Sequence, residues 1–285
     1  MTANLTNYHS HCSFCDGHAP LEEFVQAAVR MGFTSYGVSS HAPLPFPTRW
    51  TMERKQVVPY LEEIDRLKEK YGEQIELYAG MEIDYLDEAS NPAIPYFQNL
   101  PLDYRIGSVH LLASSTGEIV DIDVKKEKFA AFLPLYFEND LEGLVKSYFE
   151  KLMRMVESGG FDIVGHADKM IYNAACCQPD ILDRPWFGRL IAGYFTLIRE
   201  KGLMVEINTK AYRNTGVFFP SRRHFALLKE MRIPVLVNSD AHYPDLINSG
   251  RSEALGALKS AGILEVMELH GNHWRSMPIT DFTPA

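Results

Sequence analysis

Seven short β-rich runs alternate with helical patterns along this chain, and that alternation narrows its possible folds more than any other feature. The runs are Leu5–His11, Ser35–His41, Ile75–Ile83, Tyr104–Leu112, Phe161–His166, Leu203–Asn208 and Ile233–Asn238. Between them apolar residues recur at helical spacing. Leu21, Phe24, Val25, Ala28 and Val29 form a stripe within Pro20–Met31, and Val58, Leu61, Ile64 and Leu67 do so within Glu53–Tyr71. Asp140–Ser158, Arg184–Lys201, Ser221–Met231 and Arg251–Ala261 read likewise, and Asn91–Leu100 holds a short helix. Repeated strand-then-helix units imply a parallel sheet with right-handed crossovers. Seven such units in 285 residues without a linker predict one domain over residues 1–285, an α/β barrel closed or nearly closed. An open doubly wound sheet is the second choice. The segment 113–139 is expected as a long loop, of the length used for lids and binding loops.

Charge and cysteine content remove several function classes. Lys plus Arg is 28 and Asp plus Glu is 37, a net charge of −9, which argues against a nucleic-acid partner. The most apolar run, Phe129–Phe137, is interrupted by a proline and too short to cross a bilayer, so no membrane partner is expected. Met1–Tyr8 lacks the order of a signal peptide, and the four cysteines do not form two spaced pairs. Free thiols in the cytoplasm are the expected state.

The chemistry is written at the strand ends. Strand one ends in His9-Ser-His11, strand two at His41, and strand three in Gly80-Met-Glu82-Ile-Asp84. Strand four ends in Ser108-Val-His110, strand five in Gly165-His166-Ala-Asp168, and strand six in Glu206-Ile-Asn208. Strand seven leads into Asn238-Ser-Asp240-Ala-His242. In a parallel barrel these ends share one rim, where reacting groups sit. Singly, each histidine reads as an ordinary hydrogen-bonded residue. Gathered at one rim, so many ionisable groups need compensating charge, which divalent cations supply. The pattern therefore predicts a multinuclear metal site.

In this order the motifs HSH, DGH, SSHAP, GMEID, GSVH, GHAD, EINT and NSDAH resemble the polymerase-and-histidinol-phosphatase (PHP) family of metal-dependent phosphoesterases, over roughly residues 7 to 250. Among its subfamilies the chain is most similar to the histidinol-phosphate phosphatases, through FCDGHAP, SSHAPLP and EINTKAYRN followed by FPS. The resemblance implies a distorted (β/α)7 TIM-like barrel holding up to three divalent cations, zinc, manganese or iron. It places the first cation on His9, His11, Glu82 and Asp240, and the second on Glu82, as a bridge, with His110 and His166. The third falls to His41, His242 and His18, with Asp16 as the alternative in the same loop.

The activity this implies is hydrolysis of a small phosphorylated substrate, L-histidinol phosphate, to L-histidinol and phosphate, in histidine biosynthesis. Another phosphomonoester or a nucleotide phosphodiester is the alternative. Adjacent cations lower the pKa of water and hold the attacking and leaving oxygens in line, so a hydroxide shared by the first two is the expected nucleophile. Glu82 is the catalytic bridge, and Asp240, His242 and a metal-bound water are the candidate proton donors to the leaving alkoxide. Arg213 and Lys169 match positions that carry phosphate-contacting cations in relatives, and Arg105, Arg222 and Arg223 are weaker candidates. Asp84, Asp121 and Asp123 are candidate acids for the amine and imidazole of the substrate. Phe129, Phe132, Tyr136 and Phe137 read first as the core face of a helix and second as a cover for the imidazole.

Overall fold

The computed structural model describes residues 4–280; the predicted domain also takes in residues 1–3 and 281–285, which lie outside the described residues. Its centre is a ring of parallel strands. β1 (Thr6–Asn7) pairs with β2 (Ser35–Val38), and β2 with β3 (Glu76–Ala79). A second sheet runs from β4 (Glu82–Asp84) through β5 (Ile106–Ser108), β8 (Ile163–Val164) and β9 (Met204–Asn208) to β10 (Val235–Asn238), parallel throughout. Two isolated parallel bridges join the sheets, His41 to Glu82 at one seam and Ser10 to Ala241 at the other. The strands thus close in sequence order into a distorted α/β barrel whose seams are held by bridges instead of ladders.

The predicted third strand is broken at Gly80-Met81 into β3 and β4. Tyr104 forces this: a Cβ at Gly37 or Gly80 would overlap its ring, so both positions stay bare while the phenol lies across the barrel. The predicted fourth strand is also divided. After β5 the chain leaves the barrel as β6 (Leu111–Ala113), which forms an antiparallel hairpin with β7 (Ile119–Asp121).

The segment expected as a loop over 113–139 is corrected accordingly: it holds β7 and an eleven-residue helix, α4 (Lys126–Tyr136). Phe129 and Leu133 are buried on its inner face, and Phe132 and Tyr136 pair edge to face. The aromatics are therefore helix packing, the first of the two readings.

The expected helices are α1 (Leu21–Arg30), α2 (Val57–Tyr71), α3 (Pro95–Gln98), α5 (Leu141–Ser158), α7 (Pro185–Glu200), α9 (Phe225–Glu230) and α10 (Arg251–Ser260). α6 (Lys169–Cys177), α8 (Tyr212–Thr215) and the C-terminal hairpin of β11 (Glu265–His270) with β12 (His273–Pro278) were not predicted. The hairpin closes the floor of the barrel, where Leu269 packs with Tyr8, Tyr104, Ile106 and Ile163. Among the described residues no helix is long and apolar enough to cross a membrane.

Candidate metal centre

The opposite end of the barrel collects the strand-end residues. Glu82, fully buried at the start of β4, stands at the centre. Its Oε2 lies 3.2 Å from His9 Nε2, 3.5 Å from His11 Nε2 and 2.9 Å from His41 Nδ1. Its Oε1 lies 2.9 Å from His166 Nε2 and 3.6 Å from His110 Nε2, and accepts a hydrogen bond of 2.7 Å from Ser108 Oγ. One carboxylate thus faces two sets of imidazoles, one with each oxygen. Asp240 Oδ1 completes the first set, 3.1 Å from His11 Nε2 and 3.8 Å from His9 Nε2. His110 and His166 turn their Nε2 atoms to within 3.1 Å of each other. His166 and Asp240 hold these places with φ of +25° and +49°, conformations costly for non-glycine residues and concentrated at functional sites.

The third set differs from the prediction in Asp16, which stands in place of His18, and in His11, which is also within reach. Asp16 Oδ1, not His18, joins His11, His41 and His242, lying 3.3 Å from His242 Nε2 and 3.9 Å from His41 Nε2. His18 is exposed and stacks on Tyr243 with ring centroids 4.3 Å apart. The cause is a tight turn. Cys12 O accepts hydrogen bonds from both Cys15 N and Gly17 N, which swings Asp16 inward. Gly17 is pressed so closely on the His11 backbone that a Cβ there would overlap it. His18 N still reaches His242 O at 2.8 Å, so its backbone is at the site while its ring is not.

The donor set fits cations by what it leaves undone. His9 Nε2, His11 Nε2, His41 Nδ1, Asp16 Oδ1 and Glu82 Oε2 are buried and make no hydrogen bond, although they crowd together. Buried polar atoms are normally paired, and several orphans converging on one another ask for a shared electrophile. Grouped by reach, His9, His11 and Asp240 form one possible ion site, Glu82, His110 and His166 a second, and His11, Asp16, His41 and His242 a third; His41, Asp84 and His110 also lie close enough together to form a fourth.

The protonation pattern agrees with this. Burial works against a charged His9, but Glu206, Glu82 and Asp240 outweigh it and hold its pKa well above the usual value. For His110 burial is likewise outweighed, by Asp84 and Glu82, giving about 9. His11 is pushed well below its usual value by burial and by the neighbouring His41 and His242. Without metal, protons on His9 and His110 balance the buried acids. A divalent cation would displace them, so binding would release protons.

Several participants escaped the sequence reading. Glu206 accepts a hydrogen bond from His9 Nδ1, and Asp84, read as a pocket acid, instead accepts from His110 Nδ1. Lys210 Nζ lies 3.1 Å from Asp240 Oδ1 and 3.5 Å from His242 Nε2. Lys169 pairs with Asp123 at 2.6 Å and lies 4.0 Å from Asp240, which places it at the rim as expected. Arg213 is exposed and lines, with Lys210, Asp240 and His242, a cavity of about 370 Å³. Beyond Lys210 a second lobe of about 430 Å³ is bounded by Asp123, Lys125, Lys126, Lys169 and Asn173. Arg105 is spent on the carbonyls of Phe97, Gln98 and Leu100, and Arg223 on Asp183; Arg222 lies over Phe218. Cys12, buried against Ser40, is raised to about 11 by that burial and is a poor nucleophile.

The histidinol-phosphatase of Bacillus subtilis is 26% identical over 253 residues, covering 82% of this chain and 92% of that protein. A protein of Deinococcus radiodurans named probable histidinol-phosphatase is 26% identical over 263 residues, covering 90% and 94%. Two solved structures share the fold. A histidinol phosphatase candidate from Listeria monocytogenes superposes with a TM-score of 0.78 at 22% identity, over 87% of this chain and 99% of that one. The histidinol phosphate phosphatase of Lactococcus lactis, solved with zinc, L-histidinol and phosphate, gives 0.70 at 18% identity, over 95% and 98%. The PHP domain model matches residues 7–210, a stretch holding every strand end of the metal centre except the last, and this chain belongs to the PHP family.

Proposed function

We propose that this chain is a metal-dependent phosphomonoesterase that converts L-histidinol phosphate to L-histidinol and phosphate. The observation that carries the reading is Glu82, whose two oxygens face separate imidazole sets. The names of the Bacillus and Deinococcus relatives support the substrate. His9, His11, Glu82 and Asp240 would hold a first cation, Glu82, His110 and His166 a second, and Asp16, His41 and His242 a third. Mixed imidazole and carboxylate donors suit zinc, manganese or iron, and zinc is present in the Lactococcus structure. When bound, such ions supply Lewis acidity, lowering the pKa of water and neutralising phosphoryl oxygens.

The chain's own residues do the rest. Lys210 and Lys169 put two ammonium groups beside Asp240; Lys210 and Arg213 line one cavity with Asp240 and His242, and Lys169 lines the adjoining lobe with Lys210, so a phosphate beside Asp240 would meet Lys210 with Arg213 on one side and Lys169 on the other. Asp240 is held well below the usual carboxylate range, because Lys210, His9 and Lys169 outweigh the burial that would raise it. It therefore has no proton to give at neutral pH. His242 Nδ1 donates to the Asp240 carbonyl at 3.1 Å, and its Nε2 can deliver a proton to an alkoxide only while it is not a ligand.

The lobe beyond Lys210 favours a second reading. Lys125, Lys126, Lys169 and Lys210 outnumber Asp123 and Glu127 there, a balance that suits a monoester with an anionic leaving group. Phosphate release from histidinol phosphate, sugar phosphates and nucleotides separates the two. The histidinol ester should be turned over with much the highest kcat/KM; equal turnover of several monoesters would reject that substrate. Arg213→Ala should raise KM about ten- to hundredfold, the worth of a charged hydrogen bond, with ion content unchanged.

A further inference from the structure

A ligating imidazole donates from its other nitrogen, and an anionic acceptor there fixes the tautomer and strengthens the ligand. The groups behind each imidazole therefore grade the metal centre. Behind His9 Nδ1 stands Glu206, with oxygens at 2.8 and 3.1 Å. Glu206 is fixed in turn by His166 N, Asn208 Nδ2 and Asn238 Nδ2, donating over 2.9, 2.9 and 3.0 Å. Behind His110 Nδ1 stands Asp84, at 3.0 and 3.1 Å, which also accepts from the His110 backbone N. Both carboxylates are buried.

The third set lacks a dedicated carboxylate of this kind among the described residues. His242 Nδ1 meets the neutral carbonyl of Asp240 at 3.1 Å, and the carboxylate oxygen nearest it, Asp240 Oδ1 at 3.7 Å, is itself a ligand candidate of the first set. His41 turns one nitrogen to Glu82 and the other towards Asp16, which are themselves ligand candidates. Solvent also reaches this set: the side chain of Asp16 is 30% exposed and that of His242 13%, against 0% for His9 and 5% for His110.

We propose that the three ion positions are graded by these backing groups: Glu206 and Asp84 are positioning residues that make the first two positions tight, and the third is an exchangeable position filled by free divalent cation. The proposal rests on the metal reading above and deepens it. Loss of a carboxylate behind a ligating histidine weakens metal binding by about ten- to hundredfold, so a position that never had one should fill at a free-ion concentration higher by about that factor.

Manganese(II) titration of the ion-stripped full chain tests it, with bound ion counted by equilibrium dialysis and by electron paramagnetic resonance. Two ions should bind first and a third at a midpoint at least about tenfold higher. Glu206→Gln and Asp84→Asn keep the shape and an acceptor oxygen but remove the charge. Each should raise one tight midpoint about ten- to hundredfold and leave the weak one nearly in place, whereas Asp16→Asn should remove the weak step alone. Three ions taken up with one midpoint, or variants that bind as the parent does, would overturn the grading and leave the metal reading standing. A parent chain that takes up no ion would overturn both. Should Glu206→Gln fail to fold, the spacing of the parent's midpoints and the Asp84→Asn shift decide alone.

Discussion

The barrel buries polar groups at both ends, and the two ends treat them in opposite ways. At the floor every phenol is matched. Tyr8 Oη bonds Ser35 Oγ and accepts from Leu269 N, and Tyr104 Oη donates to Tyr8 O at 2.6 Å. At the rim five buried atoms of the metal centre make no hydrogen bond, and two residues sit at positive φ. A fold that can satisfy its buried groups so fully at one end is not short of means at the other. Unmet donors and acceptors at the rim are kept for a ligand, and the matched floor holds the ring closed around them.

The sharpest break in this comparison comes from the rim's centre. Glu82→Gln should abolish measurable turnover and remove two bound ions at once, because each of its oxygens serves a different imidazole set. Metal analysis beside the activity assay checks it, and unchanged stoichiometry would refute the bridge. Asp16→Asn should cost a single ion.

Just behind the rim lies an intermediate case. Asp168 Oδ1, His224 Nε2 and Tyr194 Oη are also buried without a hydrogen bond, His224 Nε2 lying 3.6 Å from Asp168 Oδ2, yet among the described residues they gather no ligand set. Burial raises the Asp168 carboxyl from 3.8 to about 7. The folded chain thus keeps a proton there that the unfolded chain releases near pH 4. Between these limits stability falls as pH rises, and above about 7 the loss is complete. His224, lowered to about 4 by burial, works the other way and loses stability as pH falls from 6.5. Asp168→Asn should remove only the first dependence. Denaturant unfolding of variant and parent from pH 4 to 8 should show the variant gaining relative stability, by up to a few kcal/mol, as pH rises; a constant difference would contradict it.

At the floor the effect is smaller and confined to stability. Tyr104→Phe leaves the buried Tyr8 carbonyl without that donor and should cost about 1–3 kcal/mol, with kcat/KM and ion content unchanged. An equal loss of activity would mean that the two ends are coupled.

How much of this was legible depended on how local each feature is. The strand-end residues His9, His11, His41, Glu82, His110, His166, Asp240 and His242 are local, since a parallel barrel sends every strand end to one rim, and the structure gathers them there. Glu206 and Asp84 were visible as residues, but their role is a pairing across strands that periodicity does not encode. Lys210 follows a strand as any loop lysine does, and only its 3.1 Å approach to Asp240 marks it. The 113–139 segment reads as a loop on its length, and its elements carry weak patterns: β7 has three residues, and α4 holds Pro134 inside it. The floor hairpin was missed because β12 is largely exposed and carries little apolar alternation.

His18 gives the smallest effect and the cleanest test of that lesson. In sequence it stands beside Asp16 in a loop rich in ligand-type residues, and its backbone touches the site through His242 O. Its side chain faces solvent and stacks on Tyr243, itself 46% exposed. Exposed substitutions without special contacts change stability by no more than about 0.5 kcal/mol. His18→Ala should therefore leave ion stoichiometry and turnover close to those of the parent, measured beside Asp16→Asn in the same preparation. If His18→Ala instead loses the third ion and Asp16→Asn keeps it, then the turn from Cys12 to Gly17 opens when metal binds, and the rim is less fixed before loading than its backbone hydrogen bonds imply.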